Sequence, residues 1–210
     1  MHPNKTVSVH GSNMAYIDVG EGDPVIFLHG NPTSSYLWRK IIPYMQDKTR
    51  CLAPDLIGMG ESDKLEGSQY RFVDHAKYLD AWFDAVGVTE NATIVVHDWG
   101  SGLGFYWAHR YADRVKGIVH FESITAEALS VDASDSAKWF YSFMKSDEGE
   151  KAVIEDNMFI DKILIESLGD RLTEEDREVY RKPWIEGGEA RRPLITCGHV
   201  KFLLMASLKT

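Results

Sequence analysis

The chain has 210 residues, of which 44% are hydrophobic and 26% charged, so we expect a globular protein long enough to bury a sizeable core. Its net charge of -9, without a Lys/Arg patch, argues against nucleic-acid binding. Two cysteines, Cys51 and Cys197, make neither a disulfide framework nor a metal-ligand cluster, and no stretch approaches the ~18 apolar residues of a membrane span.

The first half of the chain alternates strand and helix patterns. In chain order these are a β-hairpin over residues 7–17, a strand at 24–30, a helix from Ser34 to Tyr44, a strand at 50–55, a helix at 72–86, a strand at 92–98, a helix from about 99 to 111 and a strand at 116–123. The later strands are apolar runs typical of strands buried on both faces. This alternation predicts the α/β class with a mainly parallel sheet.

The second half changes character, because residues 135–182 contain helical patterns and no convincing strand. We therefore expect a core over residues 1–123, a helical cap over 124–192 and a divergent tail over 193–210. A sheet of this kind normally gains further strands after such a helical segment. The tail has room for at most one, so we expect the last core strands to be missing from this chain. Such a sheet would leave the strand at 116–123 as an exposed apolar edge.

The segment VVHDWGSGLG places Asp98 between a buried strand and a glycine-rich helix start. One reading is a nucleophile elbow, a sharp strand-to-helix turn that exposes the central side chain. The other is an ordinary helix N-cap, a position that Asp favours. On these ten residues alone the two readings are equally good.

Two neighbours favour a functional role. The indole N–H of Trp99 only donates hydrogen bonds, which suits an anion or a leaving halide. Asn31 follows the strand at 24–30, in the loop that supplies the second oxyanion-hole N–H in this architecture. Asn31 alone fits a turn residue equally well.

Two carboxylates compete for the role of catalytic acid. Glu122 closes a strand that we expect to be buried, where a charge is costly unless it is paired. Asp55 ends the strand at 50–55. We favour Glu122, either as an ion-pair partner or as the group that orients a histidine.

The histidine base is harder to assign. His29 and His97 border strand ends and read more simply as packed histidines, and His120 alternates with Glu122 on one strand. His199 is the only histidine that follows Glu122 in the chain. In folds with a nucleophile elbow, the histidine base follows the acid in chain order. His199 lies in the tail, without a clear strand-and-loop context.

No cofactor or metal is expected. The motifs GMGES and GSGLG lack both the P-loop lysine and the dinucleotide fingerprint. The N-terminal residues lack the basic-then-apolar pattern of a signal peptide, so we expect a cytoplasmic protein. We expect a monomer that binds neither nucleic acid nor membrane.

Four motifs, HGNPTSSYLWR, PDLIGMGESDK, VVHDWGSGLGF and GEARRP, together resemble the haloalkane dehalogenases of the α/β-hydrolase superfamily. The resemblance runs from about Val7 to Pro193, and coelenterazine-type luciferases of sea pansies share several of these motifs. It implies that Asp98 is the nucleophile, Glu122 the catalytic acid, and Asn31 with Trp99 the halide-binding pair. The substrate would be a small halogenated or hydrophobic molecule.

The resemblance also implies a helical cap whose aromatic residues line the substrate pocket or pack the cap itself. The candidates are Trp139, Phe140, Phe143 and Phe159.

The resemblance fails at LITCGHVKFLLMASLKT, where the family continues with two strands and its catalytic histidine. We therefore expect a C-terminally truncated chain with impaired ester hydrolysis. The alternatives are a cofactor-independent luciferase-like oxygenase and a non-catalytic fragment. Cooperative thermal unfolding of a soluble monomer would count against the fragment.

Overall fold

A computed structural model describes residues 2–124 and 134–195 of the chain. The strands are β1 (Lys5–Val9), β2 (Ser12–Val19), β3 (Pro24–Leu28), β4 (Arg50–Pro54), β5 (Ala92–Asp98) and β6 (Val115–Ser123). The α-helices are α1 (Phe72–Ala85), α2 (Trp99–Arg110), α3 (Asp135–Met144), α4 (Asp147–Ile154) and α5 (Glu174–Arg181). A π-helix spans Phe159–Glu166, and 3-10 turns span Ser35–Trp38, Ile42–Tyr44, Ala112–Arg114, Gly169–Arg171, Lys182–Trp184 and Gly188–Leu194.

The strands form one sheet in the order β1-β2-β4-β3-β5-β6. β3 pairs in parallel with β4 and β5, and β5 pairs in parallel with β6. β1 and β2 form the predicted antiparallel hairpin, and β2 continues antiparallel to β4. The predicted α/β class with a mainly parallel sheet is therefore confirmed. Since β3 and β5 are neighbours with the same direction, the loops at their carboxyl ends meet at one edge of the sheet.

The predicted helix from Ser34 to Tyr44 is wrong. Ser34 does cap a helical turn, accepting a hydrogen bond from the Tyr36 N–H, but the segment forms only two 3-10 turns. Pro43 lies inside the second turn and has no N–H to donate to a continuing α-helix.

The core of the sheet domain is aromatic. Behind the sheet, Phe83 of α1 stacks on Trp107 of α2 with ring centroids 4.0 Å apart, and Trp82 meets Tyr16 edge to face. On another part of the sheet, a buried cluster surrounds Trp38. The Phe83–Trp107 stack holds α1 against α2.

β6 is an edge strand among the described residues, and its expected burial on both faces is wrong. Ile118, Val119 and Phe121 are 40%, 47% and 41% exposed. Within the described part of the chain, β6 pairs with β5 on one side only. The predicted exposed apolar edge is thereby confirmed.

The chain divides into two compact units, one containing Met1–Gly67 and Phe72–Ser123, the other Ser68–Arg71 and Ile124–Thr210. From Asp135 to Leu194 the described elements of the second unit are all helical, as predicted for residues 135–182. Arg191 stabilises this unit internally: its buried guanidinium donates to the carbonyls of Ile154 and Glu155 at the end of α4 and to that of Trp184. No helix in the described ranges has the length and apolar composition to cross a bilayer.

Candidate functional site

Asp98 occupies a strained turn between β5 and α2. Its backbone has φ 50° and ψ -125°, a region that non-glycine residues rarely adopt, and α2 begins at the next residue. Asp98 holds the N-cap position, but its side chain makes no capping hydrogen bond. The alternative interpretation, in which the carboxylate caps the helix, therefore does not hold.

The loop after β3 touches this carboxylate directly. The backbone N–H of Asn31 donates to Asp98 Oδ1 at 2.9 Å. Gly30 makes the approach possible, because a Cβ at that position would lie 2.3 Å from the same Oδ1. Gly100 does the same on the helix side, where a Cβ would lie 2.5 Å from the carbonyl oxygens of Leu28 and His29. The two predicted residues Asn31 and Asp98 are thus brought together by backbone packing that excludes larger side chains.

Trp99 adds a buried donor beside Asp98. Trp99 is 2% exposed, and its indole N–H has no acceptor among the described residues. Leaving a buried N–H without an acceptor costs free energy comparable to that of a lost hydrogen bond. Such a donor is suited to receive an anion.

Glu122 differs from the expectation that it would be buried. It is exposed, has φ 48°, and lies at an irregularity of the β5–β6 pairing, where His97 pairs with Phe121 and Asp98 with Ser123. The extra residue in β6 is the reason for the positive φ, since a bulge re-aims the chain locally. Glu122 therefore lies on the strand beside Asp98, with its side chain at the surface of the described structure.

Asp55, the competing acid, has a structural role. Its buried carboxylate accepts the backbone N–H groups of Ser35 and Glu61 at 2.7 and 2.8 Å. Burial raises the pKa of Asp55 to about 6. The carboxylate thus ties the loops after β3 and β4 together.

The described histidines differ in how their ring nitrogens are used. His29 Nδ1 lies 2.9 Å from the Gly30 carbonyl, and His29 Nε2 accepts the N–H of Leu56 at 2.9 Å, so this ring is fully engaged. His120 Nδ1 lies 3.0 Å from Ser123 Oγ. His29 is therefore a packed, hydrogen-bonded histidine, as expected. His199 and Cys197 lie outside the described residues.

His75 lies next to Trp99, although its sequence pattern did not indicate a functional residue. The residue is 1% exposed, and its ring meets the Trp99 indole edge to face at 6.3 Å. Burial lowers the pKa of His75 to about 4, helped by nearby His29 and opposed by Asp74. Its position on α1, one turn before Leu79 on the buried face, was the available sequence signal.

We expect the unfolding free energy of His75→Phe, relative to the wild type, to rise as the pH falls from 6.5 to about 4. In that window unfolded His75 takes up a proton that the folded ring excludes, so the wild type loses stability as the pH falls. The variant has no proton to take up there, and its advantage should grow by roughly 1 kcal/mol per pH unit. Urea denaturation of both proteins at matched pH values measures this slope.

Comparing the two proteins removes the contribution of Asp55, which has the opposite sign. Its raised pKa stabilises the folded state at low pH, and that contribution is lost as the pH rises through about 6. Any packing change caused by Phe shifts the difference by a constant. A difference that stays constant from pH 6.5 to 4 would contradict the burial of a neutral His75.

The aromatic residues of the second unit divide between packing and exposure. Phe159 is buried and meets Phe140 edge to face at 6.3 Å, which is internal packing. Trp139 is 65% exposed and stacks on Phe143 with centroids 5.3 Å apart. Over the described ranges, no cluster of three His, Cys, Asp or Glu residues could hold a metal ion.

Comparison with known proteins identifies the family. Residues 23–188 match the family described as alpha/beta hydrolase fold. A haloalkane dehalogenase from Sphingobium indicum is 43% identical over 195 residues, which cover 91% of this chain and 66% of that protein. Coelenterazine h 2-monooxygenase from Renilla reniformis is 42% identical over 172 residues, which cover 82% of this chain and 55% of that protein.

Solved structures agree with this assignment. The crystal structure of a haloalkane dehalogenase from Bradyrhizobium elkani superposes with a TM-score of 0.84 at 38% identity, covering 92% of this chain and 67% of that one. The chain thus spans about two thirds of the length of the dehalogenases that it matches. It belongs to the α/β hydrolase fold family and, within that family, is similar to haloalkane dehalogenases.

Proposed function

We propose that this protein is a haloalkane dehalogenase-like hydrolase in which Asp98 attacks the halogen-bearing carbon of a small, hydrophobic substrate. The main support for this proposal is the geometry of the strand-to-helix turn at Asp98. A carboxylate without a capping bond is held by the Asn31 N–H, next to the buried indole N–H of Trp99. The strained backbone at Asp98 is what a nucleophile elbow requires.

The first step is an in-line displacement. An Asp98 carboxylate oxygen forms a bond to carbon while the carbon–halogen bond breaks, and the halide leaves with the bonding electrons. A carboxylate needs no base for this attack. The donors for the departing halide are the Trp99 indole N–H and the Asn31 side-chain amide, as the family resemblance implies. The product is an alkyl ester on Asp98.

The second step is hydrolysis of that ester. Water attacks the ester carbonyl, and backbone N–H groups of Asn31 and Trp99 would hold the oxyanion. Water also needs a base, which Glu122 would orient; Glu122 lies on the strand that pairs Ser123 with Asp98. His29 cannot supply this base because both of its ring nitrogens are engaged. Because none of the described histidines is assigned as this base, we propose that ester hydrolysis is slower than alkylation.

Bromide release from a short bromoalkane tests this function. Purified protein should release about one bromide per chain in a burst and then almost stop, because the ester persists. No bromide release above a heat-denatured control would remove the dehalogenase proposal. Sustained turnover would uphold the dehalogenase chemistry and contradict the slow second step.

A luciferase-like oxygenase is the second candidate, favoured by the 42% identity to the Renilla monooxygenase. It predicts light emission when the protein is mixed with coelenterazine in air. The absence of emission above a buffer blank, from protein that alkylates normally, would eliminate this candidate.

A further inference from the structure

The orientation of the Trp99 indole is set by two rings from helix α1. Phe72 meets the indole edge to face at 5.9 Å and 78°, and His75 does so at 6.3 Å and 79°. These residues are three apart, so they lie on the same face of α1. Phe72 also contacts Tyr106 of α2 at 5.4 Å, which ties it to the helix that begins at Trp99. The rings that contact the Trp99 indole thus come from a helix other than its own.

A histidine is an unusual choice for this position. The other buried residues of α1 are the apolar Ala76, Leu79, Trp82 and Phe83, and burying an imidazole costs more than burying a hydrocarbon of the same size. The ring is neutral at pH 7, since burial holds the pKa of His75 near 4. Its contact with Trp99 is therefore between two uncharged aromatic rings.

We propose that His75 is a positioning residue for a small monovalent anion, such as bromide or chloride, bound at the Trp99 N–H. Its edge contact fixes the plane of the indole and hence the direction of the N–H. Because the ring is uncharged, it does this without adding a positive charge that would retain the halide product. The inference rests on the proposed dehalogenase function and adds a residue to its anion site.

A bromide titration followed through the indole N–H signals of 15N-labelled protein tests this role. Trp99→Phe identifies the Trp99 signal, which should move saturably with sodium bromide in the wild type. His75→Leu removes the ring and leaves a buried apolar side chain in its place, and it should weaken bromide binding by about fivefold to tenfold. His75→Phe restores an edge-on ring and should bind within about twofold of the wild type.

His10→Asn is the matched control, because His10 also meets an α1 residue edge to face, Tyr78, at 5.4 Å. Bromide binding should be unchanged in this variant. His75→Met replaces the leucine variant if the latter does not give a dispersed amide spectrum.

The outcomes separate the two proposals. If the Trp99 signal of the wild type does not respond to bromide, the anion site and the proposed function fail together. If the wild type binds bromide but His75→Leu or His75→Met binds equally well, the positioning role is overturned and the function stands. Equal weakening in His75→Phe would also overturn a role based on the ring edge.

Discussion

Asp98→Asn is expected to lower the rate of alkylation by bromoalkanes at least about 10³-fold, because a carboxamide oxygen is a far weaker nucleophile than a carboxylate. Asn has nearly the same shape as Asp and tolerates positive φ better than most residues, so the corner at φ 50° should form. Its Oδ1 can still accept the Asn31 N–H. Intact mass after incubation with a bromoalkane, together with bromide release, measures the effect.

The matched control for this variant is Asp63→Asn. The Asp63 carboxylate also accepts a backbone N–H, that of Asn13 at 2.7 Å, but it lies in an exposed loop. Its alkylation rate should equal that of the wild type. An Asp98→Asn protein that is folded and alkylated at the wild-type rate would exclude Asp98 as the nucleophile.

Gly100→Ala is expected to destabilise the fold by about 3 kcal/mol or more and to abolish alkylation. The added Cβ would lie 2.5 Å from the carbonyl oxygens of Leu28 and His29. These are backbone atoms of β3 and its following loop, so they cannot move aside without shifting the loop that carries Asn31. Chemical denaturation and bromide release together measure the two losses.

Gly102→Ala, two residues along α2, is the control. A Cβ there would lie 3.5 Å from a Phe72 ring carbon, an ordinary contact. Since alanine favours a helix interior over glycine, this variant should be unchanged or up to about 1 kcal/mol more stable. Equal effects at the two positions would contradict the close approach of α2 to β3.

Much of the sheet could be predicted from the sequence because its strands are short apolar runs bounded by turn residues. The alternation of strand and helix predicted the parallel arrangement, and this places the ends of β3 and β5 side by side. Asn31 and Asp98 could therefore be expected to meet. The sequence around either residue does not predict the 2.9 Å hydrogen bond from the Asn31 N–H to Asp98 Oδ1, because this bond depends on Gly30 and on the packing of α2.

Apart from Pro43, the physical causes of the errors lie outside local sequence patterns. Helical spacing around Leu37 and Ile41 predicted an α-helix, but Pro43 and the loop bonds to Asp55 favour short 3-10 turns. The apolar pattern of β6 predicted burial on both faces, whereas burial depends on what packs against those faces in the fold. His75 was missed because its contact with Trp99 is a tertiary one, between α1 and the start of α2.

Peptide mapping of the modified residue shows whether Asp98 forms an alkyl ester by displacing halide. Protein incubated with 1-bromohexane is digested and sequenced by tandem mass spectrometry. We expect one modified residue, Asp98, carrying a hexyl group in place of a hydrogen, and none in Asp98→Asn. Modification confined to other residues, or a folded protein with Asp98 unmodified, would contradict it.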